Sequence, residues 1–234
     1  MDKKFLNKKV FVIVSIFLLI YFRNICCNVL TDIGSFISAM FKRPKIIGAV
    51  LPSSSFLATS ITSHVQVSRP VQILEVGAGT GVFTEKIVEK MKEDDTLDVI
   101  EIEKDLCDIL HEKFKDNKNV RIYCVSILDW VPKYKYDFII SGLPFNSFEY
   151  SFVNSILEKY RKIVKSGGVI SYFEYLLTSA IRKVYSFLFL SKKEYVDFAK
   201  NIEVRENFRK RFEFDSDFVF LNVPPAYVYH MRVL

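Results

Sequence analysis

Cysteine is scarce in this chain of 234 residues, and the four present form no recognisable framework. Cys26 and Cys27 are adjacent, whereas Cys107 falls in a predicted helix and Cys124 in a predicted strand. That spacing excludes a zinc-finger arrangement and a disulfide-dense secreted scaffold, so reduced thiols in a cytosol-facing protein are expected. Internal repeats and low-complexity linkers are also missing, which leaves one catalytic domain with an N-terminal appendage as the expected organisation. No small-residue cleavage site follows the first apolar run, because Tyr21, Phe22 and Arg23 are bulky, and secretion is therefore not expected. The run itself, Val10 to Phe22, is short for a membrane span before Arg23 and Asn24 interrupt it.

What is present divides the chain. Half of its residues are hydrophobic, enough to bury a real core, and its net charge of +6 suits an anionic partner. Charge alone does not choose between nucleic acid and the acidic face of a bilayer. Lys3, Lys4, Lys8 and Lys9 precede the apolar run in the layout of a membrane anchor. Phe36, Ile37, Met40 and Phe41 then share one face at helical spacing, with Lys42, Arg43 and Lys45 beside them. This is the pattern of a helix lying in an anionic interface, although a core-packing helix with solvated lysines has the same spacing. We accordingly read residues 1–33 as an apolar anchor, 34–65 as amphipathic and capping helices, and 66–234 as the catalytic domain.

From Val71 onward, short β-rich runs alternate with amphipathic helices, which implies an α/β domain with a mostly parallel sheet and helices on both faces. Strands are predicted at Ile73 to Val76, Leu97 to Ile102, Val120 to Val125, Tyr136 to Ser141 and Val169 to Tyr175. Helices are predicted at Val82 to Met91, Lys104 to Phe114 and Phe152 to Val164, the last ended by Gly167-Gly168. Asp215 to Leu234 alternate as a closing hairpin, with Val223 to Ala226 between its arms.

Chemistry is written at the first turn of this pattern. Gly77-Ala78-Gly79-Thr80-Gly81 joins the first strand to its helix, where glycines let backbone turn sharply and approach a ligand. Glu101 closes the second strand at roughly the twenty-residue distance from which an acid accepts hydrogen bonds from ribose hydroxyls. The Gly-x-Gly-x-Gly spacing departs from the dinucleotide fingerprint, so no pyrophosphate-bearing cofactor is demanded. The run Leu74-Glu75-Val76-Gly77-Ala78-Gly79-Thr80-Gly81 resembles the first motif of class I methyltransferases. That resemblance implies a Rossmann-like, seven-stranded, mostly parallel sheet and S-adenosylmethionine as cofactor. It assigns cofactor contacts to Glu75, Gly77, Gly79, Gly81, Glu101 and Ile102, and further along to Ser126, Ile127, Asp129 and Ser141. Where the superfamily usually places an acid for the adenine amino group, this chain has Ser126, with Asp129 nearby; either could accept that hydrogen bond, and Asp129 is equally a loop or cap residue.

A second loop, Ser141-Gly142-Leu143-Pro144-Phe145-Asn146, follows the fourth strand, at the sheet end where open α/β folds bind ligands. Methylation of an amine builds positive charge on nitrogen, which convergent carbonyl oxygens and aromatic faces stabilise. Gly142, Leu143 and Pro144 are therefore candidate catalytic residues. Tyr150 is a candidate for removing the amine's proton, its other reading being a surface or core tyrosine. Gly142-Leu143-Pro144-Phe145-Asn146 is similar to the Asn-Leu-Pro-Tyr-Asn loop of rRNA adenine dimethyltransferases, with glycine in place of the first asparagine. Ser141-Gly142-Leu143-Pro144 looks like the signature of bacterial phospholipid N-methyltransferases. That resemblance extends from about Phe36 through Pro44 to Ser54, a Gly-Ala-Val-x-Pro-Ser-Ser segment, to Asn222-Val223-Pro224-Pro225-Ala226 near the end. It implies successive methylation of phosphatidylethanolamine towards phosphatidylcholine, with Ser53 and Ser54 beside the cofactor; their other reading is an N-cap for a helix starting near Phe56.

The expected partners are a phospholipid substrate and an anionic membrane surface reached through the N-terminal helices, with no metal and with nucleic acid as the competing substrate class. A cytosolic cofactor and cytosolic lysines before Val10 place both sides of the anchor on the cytoplasmic face, so attachment through one leaflet is expected. The alternative readings are methylation of adenine in rRNA and a catalytically silent, membrane-tethered cofactor-binding module.

Overall fold

The computed structural model of the chain describes residues 54–66, 69–176, 192–222 and 224–234. The expected anchor, the amphipathic stretch Phe36 to Phe41, the cations Lys42, Arg43 and Lys45, and Ser53 lie outside the described residues. Among the described residues, no helix is long and apolar enough to cross a membrane.

A short helix α1 (Ser55–Ile61) leads into β1 (Gln72–Val76), α2 (Val82–Val88), β2 (Thr96–Glu101), α3 (Lys104–Lys113) and β3 (Val120–Cys124). The chain continues through β4 (Tyr136–Ser141), a 3-10 turn (Phe145–Ser147), α4 (Tyr150–Ile163) and β5 (Val164–Tyr175). Helix α5 (Lys192–Arg209) and the hairpin β6 (Glu213–Val219) and β7 (Ala226–Arg232) complete the described elements. The strands form a seven-stranded sheet in the order β3-β2-β1-β4-β5-β7-β6. Its first five strands are parallel, and β7 runs antiparallel to both β5 and β6.

That order places the functional loops. The chain builds outward from β1 through β2 to β3, then returns to lay β4 on the other side of β1. The carboxyl ends of β1 and β4 thus diverge at a switch point, where a crevice opens for ligands. Val76 stands level with Ile100 and with Ser141, so the loops after β1, β2 and β4 leave the sheet side by side. Strand β4 is buried along its whole length, as a central parallel strand covered on both faces must be. One apolar layer packs Ile73, Val99, Ile140 and Phe173 under α1, α2 and α3. The opposite layer packs Leu74, Ile139, Ile170 and Met231 under α4 and α5.

Three local expectations require correction. The Gly167-Gly168 pair does not end a helix: α4 stops at Ile163, Val164 is already extended, and the glycines lie inside β5. The register between β4 and β5 shifts between Tyr136 and Phe138, next to that irregular start. Helix α5 has no counterpart in the sequence reading, because its charged residues surround it and leave little apolar stripe to recognise. Cys107 and Cys124, expected as reduced thiols, are joined in a disulfide with their Cα atoms 5.9 Å apart. The pairing follows from topology: Cys124 is in register with Glu101, and α3 carries Cys107 back over the Glu101 carbonyl.

Candidate active site

The glycine loop grows directly from buried β1. The Gly77 N–H donates to the Ile100 carbonyl at 2.8 Å, which ties the loop's first residue to β2. Gly77 has φ +73, and a Cβ there would meet Leu143 Cδ2 at 2.6 Å, so the loops after β1 and β4 touch where no side chain fits. Gly79 has φ +59, and among the described residues no atom beyond its chain neighbours lies within 4 Å of where its Cβ would be. Backbone that is left-handed and uncovered at this point leaves room for a ligand to lie against it.

Glu101 is buried at the adjoining corner. Its Oε2 accepts from the Gly79 N–H at 2.9 Å, and its Oε1 accepts from the Ile102 and Glu103 N–H groups at 2.8 and 3.1 Å. These bonds hold a carboxylate in place between the glycine loop and the start of α3. Ile102 beside it is 66% exposed, an apolar side chain left open where an aromatic base needs a surface, while Ile127 is buried. Ser126 is half-buried and its Oγ accepts from the Leu128 N–H at 3.2 Å, capping the turn that ends in exposed Asp129. The structure therefore gathers Gly77, Gly79, Gly81, Glu101 and Ile102 at one end of β1 and β2, with Ser126 and Asp129 following the neighbouring β3.

Glu75 has a different environment from the one its motif suggests. It is fully buried, and neither carboxylate oxygen has a well-formed hydrogen bond among the described residues, although Thr84 lies beside it. Burial, with the Glu101 carboxylate adding to it, pushes its carboxyl from the ordinary 4.5 up to about 8. An orphaned buried acid under the loop fits a cofactor that carries positive charge, as S-adenosylmethionine does through its ammonium and sulfonium groups. Without that charge, Glu75 opposes folding at neutral pH. Its folded pKa lies above its unfolded value, so the folded state holds a proton that the unfolded state releases. Stability then falls as pH rises from about 4.5 to about 8. Glu75→Gln is expected to flatten that fall and to raise stability at pH 8 by roughly 1–3 kcal/mol while weakening cofactor binding. Urea midpoints at pH 5 and pH 8, with calorimetry, check this; a variant less stable at pH 8 would mean that a cation already pairs with Glu75.

The second loop is shaped by its neighbours. Ser141 is buried, its Oγ accepting from the Tyr160 hydroxyl at 3.0 Å, so its side chain braces β4 against α4. The Gly142 N–H donates to the Val76 carbonyl at 2.8 Å, and a Cβ on Gly142 would lie 2.3 Å from the Gly77 oxygen. Leu143 is half-buried over Gly77, and Pro144 is buried at the head of the 3-10 turn. Tyr150 opens α4 with Lys200 Nζ 5.0 Å from its ring centre. Ser54 is the N-cap of α1, its Oγ accepting from Leu57 N–H at 3.2 Å, which is the capping role its chemistry allowed.

Sequence reasoning missed the residues that hold these loops. Asn201 on α5 is buried and donates through Nδ2 to the Phe145 and Phe148 carbonyls at 3.0 and 2.7 Å, clamping the turn after Pro144. Asn201 is held in turn by Arg205, which pairs with Glu174 on β5. Asn222 accepts from the Ser54 N–H at 3.0 Å and donates to the Pro224 carbonyl at 2.8 Å, joining the hairpin turn to α1. Asn222 carried a signal as the first residue of the family-like Asn222-Val223-Pro224-Pro225-Ala226 segment, whereas Asn201, among charged neighbours, carried none. A cavity of about 260 Å³ lined by Val71, Lys90 and Asp95 adjoins the opposite end of β1 and takes no part in this site.

Comparison with known proteins agrees with the arrangement. The chain is 25% identical over 143 residues to ornithine lipid N-methyltransferase of Singulisphaera acidiphila, covering 58% of this chain and 74% of that protein. It is 31% identical over 117 residues to ribosomal RNA small subunit methyltransferase A of Hydrogenobaculum sp., covering 50% of this chain and 45% of that protein. The N-methyltransferase NodS of Bradyrhizobium japonicum, solved with S-adenosyl-L-homocysteine, shares the fold with a TM-score of 0.54 and 16% identity, covering 76% of this chain and 83% of that one. Together with the loop and the acid, these likenesses make the chain an enzyme that transfers methyl groups from S-adenosylmethionine. Residues 52–170, just over half of its length, match the family described as ribosomal RNA adenine dimethylase, and the chain belongs to that family of class I methyltransferases.

Proposed function

We propose that the acceptor is the primary alkyl amine of a membrane-lipid head group, with phosphatidylethanolamine as the substrate that the loop signature favours. The observation that carries this reading is Gly142. The loop of rRNA adenine dimethyltransferases that it resembles has an asparagine there. Here the Gly77 oxygen stands 2.3 Å from where a Cβ would be, so the position admits no side chain. Only main-chain groups are left to receive the amine at this position, and they suit a small cationic nitrogen better than the edge of a base. The ornithine lipid enzyme, of which this chain spans 74%, is named for an amino-lipid and supports the same chemistry.

Bound at the glycine loop, S-adenosylmethionine supplies an electrophilic methyl group. Gly79 and Glu101 hold it, Ile102 offers the base a surface, and Ser126 or Asp129 accepts from the adenine amino group. Gly142, Leu143 and Pro144 position the acceptor nitrogen, and Tyr150 is the candidate for taking its proton. Lys42, Arg43 and Lys45 with the apolar N-terminus support attachment to an anionic cytoplasmic membrane surface through one leaflet.

A specific finding favours a second reading, methylation of adenine in ribosomal RNA. The family match and the Hydrogenobaculum relative both name ribosomal RNA, whereas neither relative above names phosphatidylethanolamine. The comparisons therefore lean further towards RNA than towards this particular lipid. Incubating the full chain with methyl-labelled cofactor separates the two, using vesicles of phosphatidylethanolamine, vesicles of ornithine lipid and unmethylated ribosomal RNA as acceptors. Label is expected in one or both amino-lipids. Label in RNA alone would sink the lipid reading, and label in ornithine lipid alone would move it to that head group.

A further inference from the structure

A cluster of imidazoles and carboxylates lies away from the cofactor loop, on the sheet face covered by α1. His64 follows α1, Asp215 and Asp217 project from β6, and His230 from β7, where it is in register with Asp215 and with Ser171 of β5. One ligand atom from each of His64, Asp215 and His230 falls within a mutual distance of 4.8 Å. We propose that these three residues, with Asp217 alongside, form a binding site for a divalent transition-metal ion of the zinc class. Nothing in the methyl-transfer reading uses them, and the sequence reading expected no metal.

Three features of the geometry bear on such a site. First, both rings carry nitrogen towards carboxylates: His64 Nε2 lies 3.3 Å from Asp215 Oδ2, and His230 Nε2 lies 3.6 Å from Asp217 Oδ2; the rings themselves stack with centres 4.2 Å apart, so the more exposed His64 must turn about its side-chain torsions for both in-plane lone pairs to meet at one ion. A tetrahedral ion with bonds of about 2.0–2.1 Å places neighbouring ligand atoms about 3.3–3.4 Å apart, so the His64–Asp215 separation already matches one edge. Second, His230 is buried, and its Nδ1 lies 2.8 Å from Ser171 Oγ. When Ser171 accepts from Nδ1–H, the ring's lone pair is on Nε2, facing the acids; this is the outer-shell hydrogen bond that orients metal-bound histidines. Third, the remaining contacts of Nε2 are loose, with Ser63 Oγ at 3.4 Å and Asp217 at 3.6 Å. Asp217 Oδ2 also accepts from the Ser60 hydroxyl at 3.0 Å, and its distance from Nε2 leaves space for a cation between the ring and the acid.

An ion there would tie the chain just after α1 to the β6–β7 hairpin. The other end of α1 already joins the hairpin turn through the Ser54 N–H and Asn222. The site would thus clamp at both ends the helix that follows Ser53 and Ser54, and bound metal would raise stability by mass action.

The test uses the untagged full chain, stripped with a chelator, then titrated with Zn²⁺ by calorimetry and with Co²⁺ by visible absorption. One ion per chain is expected, with a Tm that climbs as Zn²⁺ is added. His64→Gln and Asp215→Asn, both at accessible positions, should each lower Zn²⁺ affinity at least about tenfold, a loss usual for removing a ligand or its support. Their Tm in chelator and their affinity for S-adenosylhomocysteine should match the parent's, which shows that they fold and that the cofactor site is intact. His230→Gln should abolish the Co²⁺ spectrum. No stoichiometric binding, or binding equal in parent and both accessible variants, would overturn the proposal.

Discussion

Gly142→Ala should cost the protein most of its cofactor binding, and Gly142→Asn, which introduces the asparagine of the rRNA adenine dimethyltransferase loop, should do no better. The Cβ would stand 2.3 Å from the Gly77 oxygen and 3.5 Å from the Val76 oxygen, both of them backbone atoms. Neither can rotate away as a side chain would. Relief needs the ends of β1 and β4 to part, yet Val76 and Ser141 are in register and the Gly142 N–H is bonded to the Val76 carbonyl. Overpacking of this kind costs roughly 1–3 kcal/mol, and because it moves Gly77 it falls on the cofactor loop itself. A loss of about 100-fold in affinity for S-adenosylhomocysteine, equivalent to roughly 2.7 kcal/mol, is expected for either variant by calorimetry. Thermal unfolding should drop in parallel. If asparagine were harmless, the backbone would have room that the structure denies, and the case against an adenine substrate would weaken with it.

The same residue shows what could be read in advance. As sequence, Gly142 registered as a candidate catalytic residue, a member of the Ser-Gly-Leu-Pro signature and a missing asparagine; the structure adds that the position requires glycine, because the contact is with Gly77, far away in the chain and on the neighbouring loop. Gly77, Gly79 and Glu101 were legible because their roles follow from local order, a strand, a turn and a second strand end. Glu75 was legible as part of a motif, whereas its isolation was not, since a carboxylate in a strand looks the same whether or not a partner faces it. The role of Asn222 was out of reach because its partner Ser54 is 168 residues away, and Asn201 because it serves carbonyls 56 and 53 residues away. Such bonds are written in no window of sequence. The strand order is a further case: alternating β and α patterns indicate a parallel sheet and the alternation after Asp215 a closing hairpin, but that β7 inserts between β5 and β6 is a long-range pairing that no local pattern shows.

Glu101→Ala is expected to weaken cofactor binding by about 2–4 kcal/mol, because the variant loses two functions at once. The first is direct: a charged acceptor for ribose hydroxyls, worth roughly 1.5–3 kcal/mol, disappears. The second lies in the free protein. Glu101 accepts from the N–H groups of Gly79, Ile102 and Glu103, and so fixes the glycine loop relative to the start of α3 before any ligand arrives. With alanine those donors turn to water, and the cofactor must then order the loop as it binds. Folding should survive, since the corner borders solvent at exposed Ile102 and water can reach the freed groups. Glu101→Gln separates the two contributions. Its single carbonyl oxygen can keep the Gly79 contact or the Ile102 and Glu103 contacts, while its amide group faces the remaining N–H donors without accepting from them. Glutamine should therefore fall between parent and alanine in affinity and match neither in loop protection. Calorimetry with S-adenosylhomocysteine, paired with hydrogen exchange at Gly79 and Ile102, measures both quantities. Affinity within about threefold of the parent in folded Glu101→Ala, under 1 kcal/mol, would remove Glu101 from the cofactor site and leave it a loop brace alone.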